Sequence, residues 1–199
     1  MLVNAPLDFR LKSLSAEHEF FKRHELKSKT VERFGLGYCL RGTLKGRIAA
    51  PLHDTTGNLI GYAGRVTEDD SDDGGTPKYD FPTNREHEDV RHVFDREELL
   101  YQGHRFHGQP PVNRLVVVSE LMDVWTLWQE GIEAVATMID GVSTNQVKLI
   151  EQFTQEDGIV LIASGAHQDG FRRDALVRLS RIRACRSLDL TDRPRWLVL

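Results

Sequence analysis

The chain has 199 residues, of which 40% are hydrophobic and 28% charged, and its formal net charge is −4 at pH 7. This composition is ordinary for a globular protein, and no apolar run approaches the ~20 residues that a transmembrane helix needs. The N-terminus lacks the basic start and long apolar stretch of a signal peptide, and two cysteines, Cys39 and Cys185, are too few for a zinc finger or a disulfide framework. We therefore expect a cytoplasmic protein that has no membrane partner.

The first half of the chain combines short helices with a β-hairpin. Apolar periodicity predicts helices over 15–26 and 28–34, each opened by a serine. Strands over 46–52 and 59–66 flank residues 53–58, a loop rich in turn-forming residues. This order of elements predicts a small α+β lobe.

The second half alternates strands with helices. The predicted strands are 115–118, 134–138, 159–163 and 186–190, and the predicted helices are 123–130, 144–153 and 171–183. Ser143-Thr-Asn-Gln146 has the form of a capping box at the start of the middle helix. Because a series of βαβ units favours a parallel sheet, we expect an α/β fold in which a parallel-sheet domain follows the smaller lobe.

A linker is predicted between these halves. Residues 102–113 contain two glycines and two prolines, a composition typical of a domain boundary. We therefore divide the chain into a lobe over 1–103, a linker over 104–113 and a parallel-sheet domain over 114–199.

Two short segments follow strands of the predicted parallel sheet. Ser119-Glu120 comes after the first strand, and Ser164-Gly165-Ala166 comes after the third. In open α/β sheets, ligands bind beyond the carboxyl ends of the strands, where loops and helix N-termini converge. We expect the functional site of the second half to lie at these two loops.

The same two segments resemble the metal motifs of TOPRIM domains. In that family an apolar strand ends in Glu-Gly and a later strand ends in Asp-x-Asp, and these carboxylates together hold divalent metal. Leu115-Val-Val-Val-Ser-Glu-Leu-Met-Asp123 is similar to the first motif, with Ser119 at the Glu position and Glu120 at the Gly position. Ser164 and Ala166 stand where the two aspartates belong.

The first half resembles the N-terminal part of the bacterial primase catalytic core. Four segments follow that family's order and approximate spacing: Thr30-Val-Glu-Arg-Phe-Gly-Leu-Gly-Tyr38, Gly46-Arg-Ile with Pro51-Leu-His-Asp, Gly57-Asn-Leu-Ile-Gly-Tyr-Ala-Gly-Arg65, and Pro77-Lys-Tyr79. With the TOPRIM-like half, the similarity covers roughly residues 8 to 190. It is closest to primase-related TOPRIM proteins of mobile elements.

The resemblance implies a surface for nucleic acid. Basic residues of the first lobe line a groove for single-stranded template in that family, and the matching positions here are Arg47, Arg65, Lys78 and, in place of a lysine, Arg96. Such residues neutralise phosphates, while Tyr79 or Phe81 offers a face on which a base can stack. The structural alternative is that Arg47 and Arg65 only cover the two-stranded sheet.

The metal site of the family transfers poorly to this chain, because its carboxylates are replaced. We expect no catalytic residue and no cofactor at these degenerate positions. Asp123 matches the aspartate that follows the TOPRIM glutamate, but we expect it to cap the helix N-terminus, where an anion is favoured. As an alternative, Glu120, Asp123 and Asp169 could form a shifted site for Mg²⁺ or Mn²⁺, which needs only one or two protein carboxylates plus water and phosphate oxygens.

We interpret the chain as a primase-like core with a degenerate TOPRIM domain. It would act as a non-catalytic nucleic-acid-binding or assembly subunit in DNA or RNA metabolism, or in a mobile-element or defence complex. Its expected partners are single-stranded nucleic acid and a further protein. An alternative of a different class is an active metal-dependent primase or nuclease with rearranged carboxylates. A third interpretation makes the former active-site surface a docking patch for a protein partner.

Overall fold

The structure is a computed structural model that describes residues 1–67, 77–87 and 90–190. The chain forms two compact units, Met1–Asp54 with Asn58–Phe94, and Thr55–Gly57 with Asp95–Leu199. Among the described residues, no helix is long and apolar enough to cross a membrane.

The second unit begins earlier than we expected. The boundary lies between residues 94 and 95, not at residue 103. The segment predicted as a linker over 104–113 instead contributes to the core of the second unit. Leu100 and Phe106 belong to the core of the second unit, and the Phe106 ring lies 5.6 Å from that of Phe153. Turn-forming residues around these apolar side chains suggested a linker, but burial of the apolar groups anchors the segment.

The described residues of the first unit form two sheets and two short helices. Its elements are β1 (Leu2–Val3), β2 (Leu14–Ser15), α1 (Glu19–Arg23), α2 (Ser28–Phe34), β3 (Gly37–Cys39), β4 (Arg47–His53), β5 (Leu59–Val66), β6 (Tyr79–Asp80), β7 (Arg85–His87) and β8 (Val90–Val93). Five strands form an antiparallel sheet in the order β2-β3-β4-β5-β6, and three form a second sheet in the order β1-β8-β7. The antiparallel pairing of β4 with β5 confirms the predicted hairpin.

The predicted helices of this unit are right in place and partly wrong in extent. The second runs from Ser28 to Phe34 as expected, and Gly35 ends it with φ 62°, a left-handed conformation that glycine adopts without strain. The first is shorter than predicted, because Ser15 pairs with Tyr38 in the sheet instead of opening a helix. The helix caps are His18 and Lys27, so the predicted serine caps are wrong.

The second unit is built on a four-stranded parallel sheet. Its elements are two short 3-10 helices (Arg96–Glu98 and Gly103–Arg105), β9 (Val112–Val118), α3 (Leu121–Gln129), β10 (Ala134–Ala136), α4 (Thr144–Phe153), β11 (Thr154–Ser164), α5 (Asp169–Leu179) and β12 (Ala184–Asp189). The strand order is β10-β9-β11-β12, and every neighbouring pair is parallel. This confirms the α/β fold class predicted from the alternation of strands and helices.

Both faces of the parallel sheet are covered. Leu115 and Val117 point into a core shared with α4 and α5, and Val116 and Val118, which alternate with them, are also at least 96% buried. The continuous apolar run of β9 therefore reflects a strand that is buried on both sides. Burial on both faces leaves the ends of the strands as the places where polar side chains can collect.

The predicted capping box at the start of α4 is confirmed. The Ser143 hydroxyl accepts a hydrogen bond of 3.0 Å from the Gln146 N–H, and the Gln146 side chain accepts one of 3.0 Å from the Ser143 N–H. The Gln146 amide nitrogen also donates to the carbonyls of Arg96, Leu99 and Thr137 at 2.7–3.0 Å. This fully buried residue thus links the start of the unit to its sheet.

Candidate functional site

Two loops leave the carboxyl edge of the parallel sheet side by side. Strands β9 and β11 are adjacent, and Ile162 is the register partner of Val117. Ser119 and Ser164 each lie two residues further along the chain, so the two loops start from the same edge. This is the placement expected for the two segments that resemble TOPRIM motifs.

The second of these loops offers little to a metal ion. Ser164 is only 1% exposed, and its hydroxyl oxygen has no hydrogen-bond partner among the described residues. Ala166 lies exposed in the turn that follows. A neutral hydroxyl and a methyl group cannot supply the negatively charged oxygen ligands that Mg²⁺ prefers.

Two of the nearby acids lie at the starts of helices. Glu120 is the residue before α3, and Asp169 starts α5, where it pairs with Arg172. Within the described ranges, no group of three or more His, Cys, Asp or Glu side chains is arranged to hold a metal ion. The residues at this edge therefore do not fit the divalent metal that the TOPRIM resemblance implies.

Asp123 contacts the second loop through Gln168. The Gln168 side-chain oxygen accepts a hydrogen bond of 2.8 Å from the Gly165 N–H, and its amide nitrogen donates to Asp123 Oδ2 at 3.5 Å. The N-cap position of α3 is Glu120, whose side chain makes no capping hydrogen bond. Asp123 lies in the first turn instead, where its charge still favours the positive end of the helix dipole.

Arg47 lies half-buried on the five-stranded sheet of the first unit. Its guanidinium donates to the carbonyls of Gly64 and Pro77 at 3.3 and 3.4 Å. A side chain on Gly64 would come within 2.9 Å of Arg47 Cδ, so the glycine is what lets the arginine lie across the strand. These long hydrogen bonds hold Arg47 at the side of the sheet where the edge strand β6 begins.

Arg65 does not fit the predicted role in phosphate binding. It is 3% exposed, donates a hydrogen bond of 3.0 Å to the Val66 carbonyl, and places its guanidinium carbon 4.7 Å from the centre of the Phe20 ring. Its register partner is Ile48, so Arg65 and Arg47 point to opposite faces of the sheet. The buried guanidinium packs in the core of the unit and is not available to a phosphate.

Lys78 and Tyr79 lie at the edge strand of the same sheet. Lys78 is exposed, and Tyr79 is half-buried with its ring 6.0 Å from that of Phe81. The Phe81 ring in turn lies 6.3 Å from Phe94 at an angle of 13°. An aromatic row of Tyr79, Phe81 and Phe94 therefore begins beside an exposed lysine.

Arg96 belongs to the second unit. Its guanidinium donates a hydrogen bond of 3.0 Å to the Met138 carbonyl, and its own carbonyl accepts from Gln146. These bonds give Arg96 a place in the internal structure of the unit. Its predicted contact with nucleic acid stays a prediction.

Sequence reasoning missed Gln168 and Phe94. No local pattern marks an amide that reaches back to its own loop, and Phe94 meets Phe81 only because β8 returns the chain to that position. Residues 77–81 gave a partial signal, since a lysine beside two aromatic residues is typical of surfaces that bind single strands.

Bacterial primases are similar to this chain in sequence. The DNA primase of Mycoplasma genitalium is 30% identical over 142 residues, which make up 69% of this chain, and that of Escherichia coli K12 is 34% identical over 109 residues, or 54%. The aligned segments cover 21% and 17% of those proteins, so the chain spans about a fifth of the curated relatives it matches. No protein-family model matches the chain.

Solved primase structures share the fold. A DnaG catalytic core matches with a TM-score of 0.65 and 23% identity, over 90% of this chain and 66% of that one. A DnaG catalytic domain bound to single-stranded DNA matches with a TM-score of 0.64 and 21% identity, over 88% of this chain and 66% of the other. Sequence and fold together show that this chain is a homologue of the TOPRIM-containing catalytic core of bacterial DNA primase.

Proposed function

We propose that this protein binds single-stranded nucleic acid through its first unit and carries out no metal-dependent chemistry of its own. One observation supports the absence of metal-dependent chemistry. Ser119 and the buried Ser164 stand side by side at the sheet edge where the family's carboxylates belong, and Gln168 bridges from the second loop to Asp123. A metal-dependent transfer reaction needs charged oxygen ligands at this edge, and the two serines do not provide them.

The first unit supplies the groups that a single strand requires. Lys78 is exposed, and Arg47 is half-buried beside it at the Pro77 carbonyl. Tyr79, the register partner of Arg65, begins an aromatic row from the other face of the sheet. Cations neutralise phosphates, and aromatic rings stack with bases without regard to their identity. A related primase domain binds single-stranded DNA, which supports the same ligand class for this chain.

A non-catalytic role places the chain in a larger assembly. A primase-like protein that holds a single strand without extending it would present that strand to an enzyme supplied by another protein. We therefore propose a protein partner, whose binding surface includes the sheet edge that carries Ser119 and Ser164. The alternative is an active metal-dependent primase or nuclease that uses Glu120, Asp123 and Asp169.

The salt dependence of strand binding tests the nucleic-acid proposal. We expect the double variant Arg47→Ala and Lys78→Ala to bind a fluorescent single-stranded oligonucleotide more weakly than the parent. The slope of log K against log salt should also fall by about 0.7 for each phosphate that the variant no longer neutralises. The matched control is Lys29→Ala with Lys148→Ala, which removes two exposed lysines from helices α2 and α4. Equal slopes for the two double variants would contradict the proposed role of Arg47 and Lys78.

Primer synthesis tests the absence of catalysis. With a single-stranded template, nucleotides and Mn²⁺, we expect the protein alone to make no product and to cut no strand. A product that disappears in Glu120→Ala would instead support the alternative, in which shifted carboxylates hold the metal. Addition of a candidate partner to the same reaction would show which protein supplies the chemistry.

A further inference from the structure

The first unit contains a cavity of about 490 Å³ next to its aromatic row. One wall is the N-terminal arm, residues 4–11, which is held by a hydrogen bond to β8 at one end and to β5 at the other. The Asn4 N–H donates to the Val93 carbonyl at 2.8 Å, and the Leu11 N–H donates to the Tyr62 hydroxyl at 3.1 Å. An anchored segment of chain therefore forms one side of this open cavity.

Aromatic rings form much of the cavity wall. Phe81 and Phe94, two of the three rings of the aromatic row, both line it, and Tyr62 lines it from strand β5. Phe9 lines it from the arm and is 51% exposed, so its ring is accessible to a ligand. Such a wall favours a planar aromatic ligand, because offset stacking strengthens binding beyond simple burial of the ring.

The charged and polar side chains that line the cavity include Arg41, Asp80 and His92. Arg41 is exposed, and Asp80 and His92 are half-buried. Within the described parts of the chain, none of the three makes a side-chain hydrogen bond or ion pair. A few convergent polar groups on an aromatic surface are what fix the orientation of a small molecule in its site.

The chemistry of this wall points to one class of ligand. A nucleobase presents a flat ring for Phe81 and hydrogen-bonding edges for Asp80 and His92, while Arg41 at the rim can pair with the attached phosphate. The volume lies within the ~300–1,000 Å³ that such sites usually have. Tyr79 joins the cavity to the surface proposed for the strand, because its ring lies 6.0 Å from that of Phe81, which lines the cavity.

We propose that this cavity takes an unpaired nucleobase, with its phosphate on Arg41. The inference rests on the proposed binding of single strands and adds to it a site for one base. A base within a single strand and a free nucleotide offer the cavity the same chemical groups. The experiment below distinguishes these two ligands.

Fluorescence of 2-aminopurine tests the site, because stacking on an aromatic ring quenches this base. One probe is a single-stranded oligonucleotide that carries 2-aminopurine at one position, and the other is the free 2-aminopurine nucleoside monophosphate. We expect the full chain to quench the oligonucleotide probe and to bind it at least about fivefold more tightly than an abasic oligonucleotide of the same length. Quenching of the free nucleotide at micromolar protein would assign the cavity to mononucleotides as well.

Two variants locate the quenching. Phe81→Leu keeps an apolar side chain but removes the ring. Arg41→Gln changes an exposed side chain, so we expect this variant to keep the fold. Each should weaken binding of the quenched probe at least about fivefold, whereas Arg173→Gln, an exposed arginine on α5, should leave it unchanged.

The outcomes separate this inference from the proposed function. Oligonucleotides that bind without quenching at any position, or with quenching that neither variant alters, would overturn the cavity assignment and leave strand binding intact. Failure of all oligonucleotides to bind, together with quenching of the free nucleotide, would overturn strand binding and support the cavity.

Discussion

The carboxylate of Asp123, in the first turn of α3, accepts a hydrogen bond from the side-chain amide of Gln168, 3.5 Å away in the loop that follows β11. The other end of the amide accepts from Gly165 at 2.8 Å. A neutral side chain thus joins the second loop to the first turn of α3, next to the two segments that resemble the TOPRIM metal motifs. An amide bridge carries no net charge, so the loops can approach each other without the repulsion that clustered acids produce.

Restoring the acids should restore a dependence on metal. The variant Ser119→Glu, Glu120→Gly, Ser164→Asp and Ala166→Asp places carboxylates at the family's positions. Because Ser164 is 1% exposed, its aspartate would be buried among like charges, and we expect the variant to be less stable than the parent in chelator. Mn²⁺ should recover that stability by binding the folded state, which thermal melts will show.

The parent protein is the control for this restoration. Its melting temperature should be the same in chelator and in Mn²⁺, and calorimetry should detect no stoichiometric site for Mg²⁺ or Mn²⁺. An identical metal response in parent and variant would mean that Ser119 and Ser164 do not occupy the metal positions.

Arg65 should contribute to stability and not to strand binding. Replacement by alanine removes a buried side chain that packs on Phe20, so we expect the free energy of unfolding to fall by about 2 kcal/mol. The salt slope of oligonucleotide binding should be unchanged. Lys78→Ala is the matched variant, with stability within ~0.5 kcal/mol of the parent and a smaller slope. Urea unfolding and binding titrations of both variants check these values.

Gln146 should be among the most sensitive polar positions of the second unit. Leucine at this position would leave the carbonyls of Arg96, Leu99 and Thr137 without their donor, and we expect a loss of about 3 kcal/mol in the free energy of unfolding. The control is Gln152→Leu on the exposed side of the same helix, with a change within ~0.5 kcal/mol. Similar urea midpoints for the two variants would show that this hydrogen-bond network contributes little.

Tyr101 should make the second unit less stable at alkaline pH. Burial raises the pKa of its hydroxyl well above the ordinary value near 10, although the Trp125 indole N–H donates to it at 2.9 Å. The folded state therefore keeps a proton that the unfolded chain releases. The stabilisation is complete below about pH 10 and is lost as pH rises toward the raised pKa, by up to about 1.4 kcal/mol per pH unit.

Comparison with Tyr101→Phe isolates this effect. The variant should be less stable at about pH 8, because the Trp125 N–H loses its acceptor, at a cost of about 1–3 kcal/mol. Its urea midpoint should then fall less steeply than that of the parent between about pH 9.5 and 11, a range chosen around the ordinary tyrosine pKa of about 10. Parallel curves for the two proteins would exclude Tyr101 as the titrating group.

Local signals in the sequence determined most of the architecture. Alternation of apolar strands with amphipathic helices predicted the parallel sheet, and Ser143 with Gln146 predicted the start of α4 to the residue. The βαβ pattern predicted that Ser119 and Ser164 lie at the carboxyl edge of one parallel sheet, whereas the adjacency of β9 and β11 was expected only from the TOPRIM resemblance. These features depend on periodicity and capping, which involve residues close together in the chain.

Only the tertiary structure decided what individual polar side chains do. Arg47 and Arg65 look equivalent in the sequence, but strand register places their side chains on opposite faces of the sheet, where Arg47 stays half-buried and Arg65 is buried against Phe20. Gln168 became a bridge, and Phe94 part of a cavity wall, because segments distant in sequence meet there. A shift of one residue in register turns a side chain to the opposite face of a sheet, and register is set by packing across the whole unit, which local patterns do not contain.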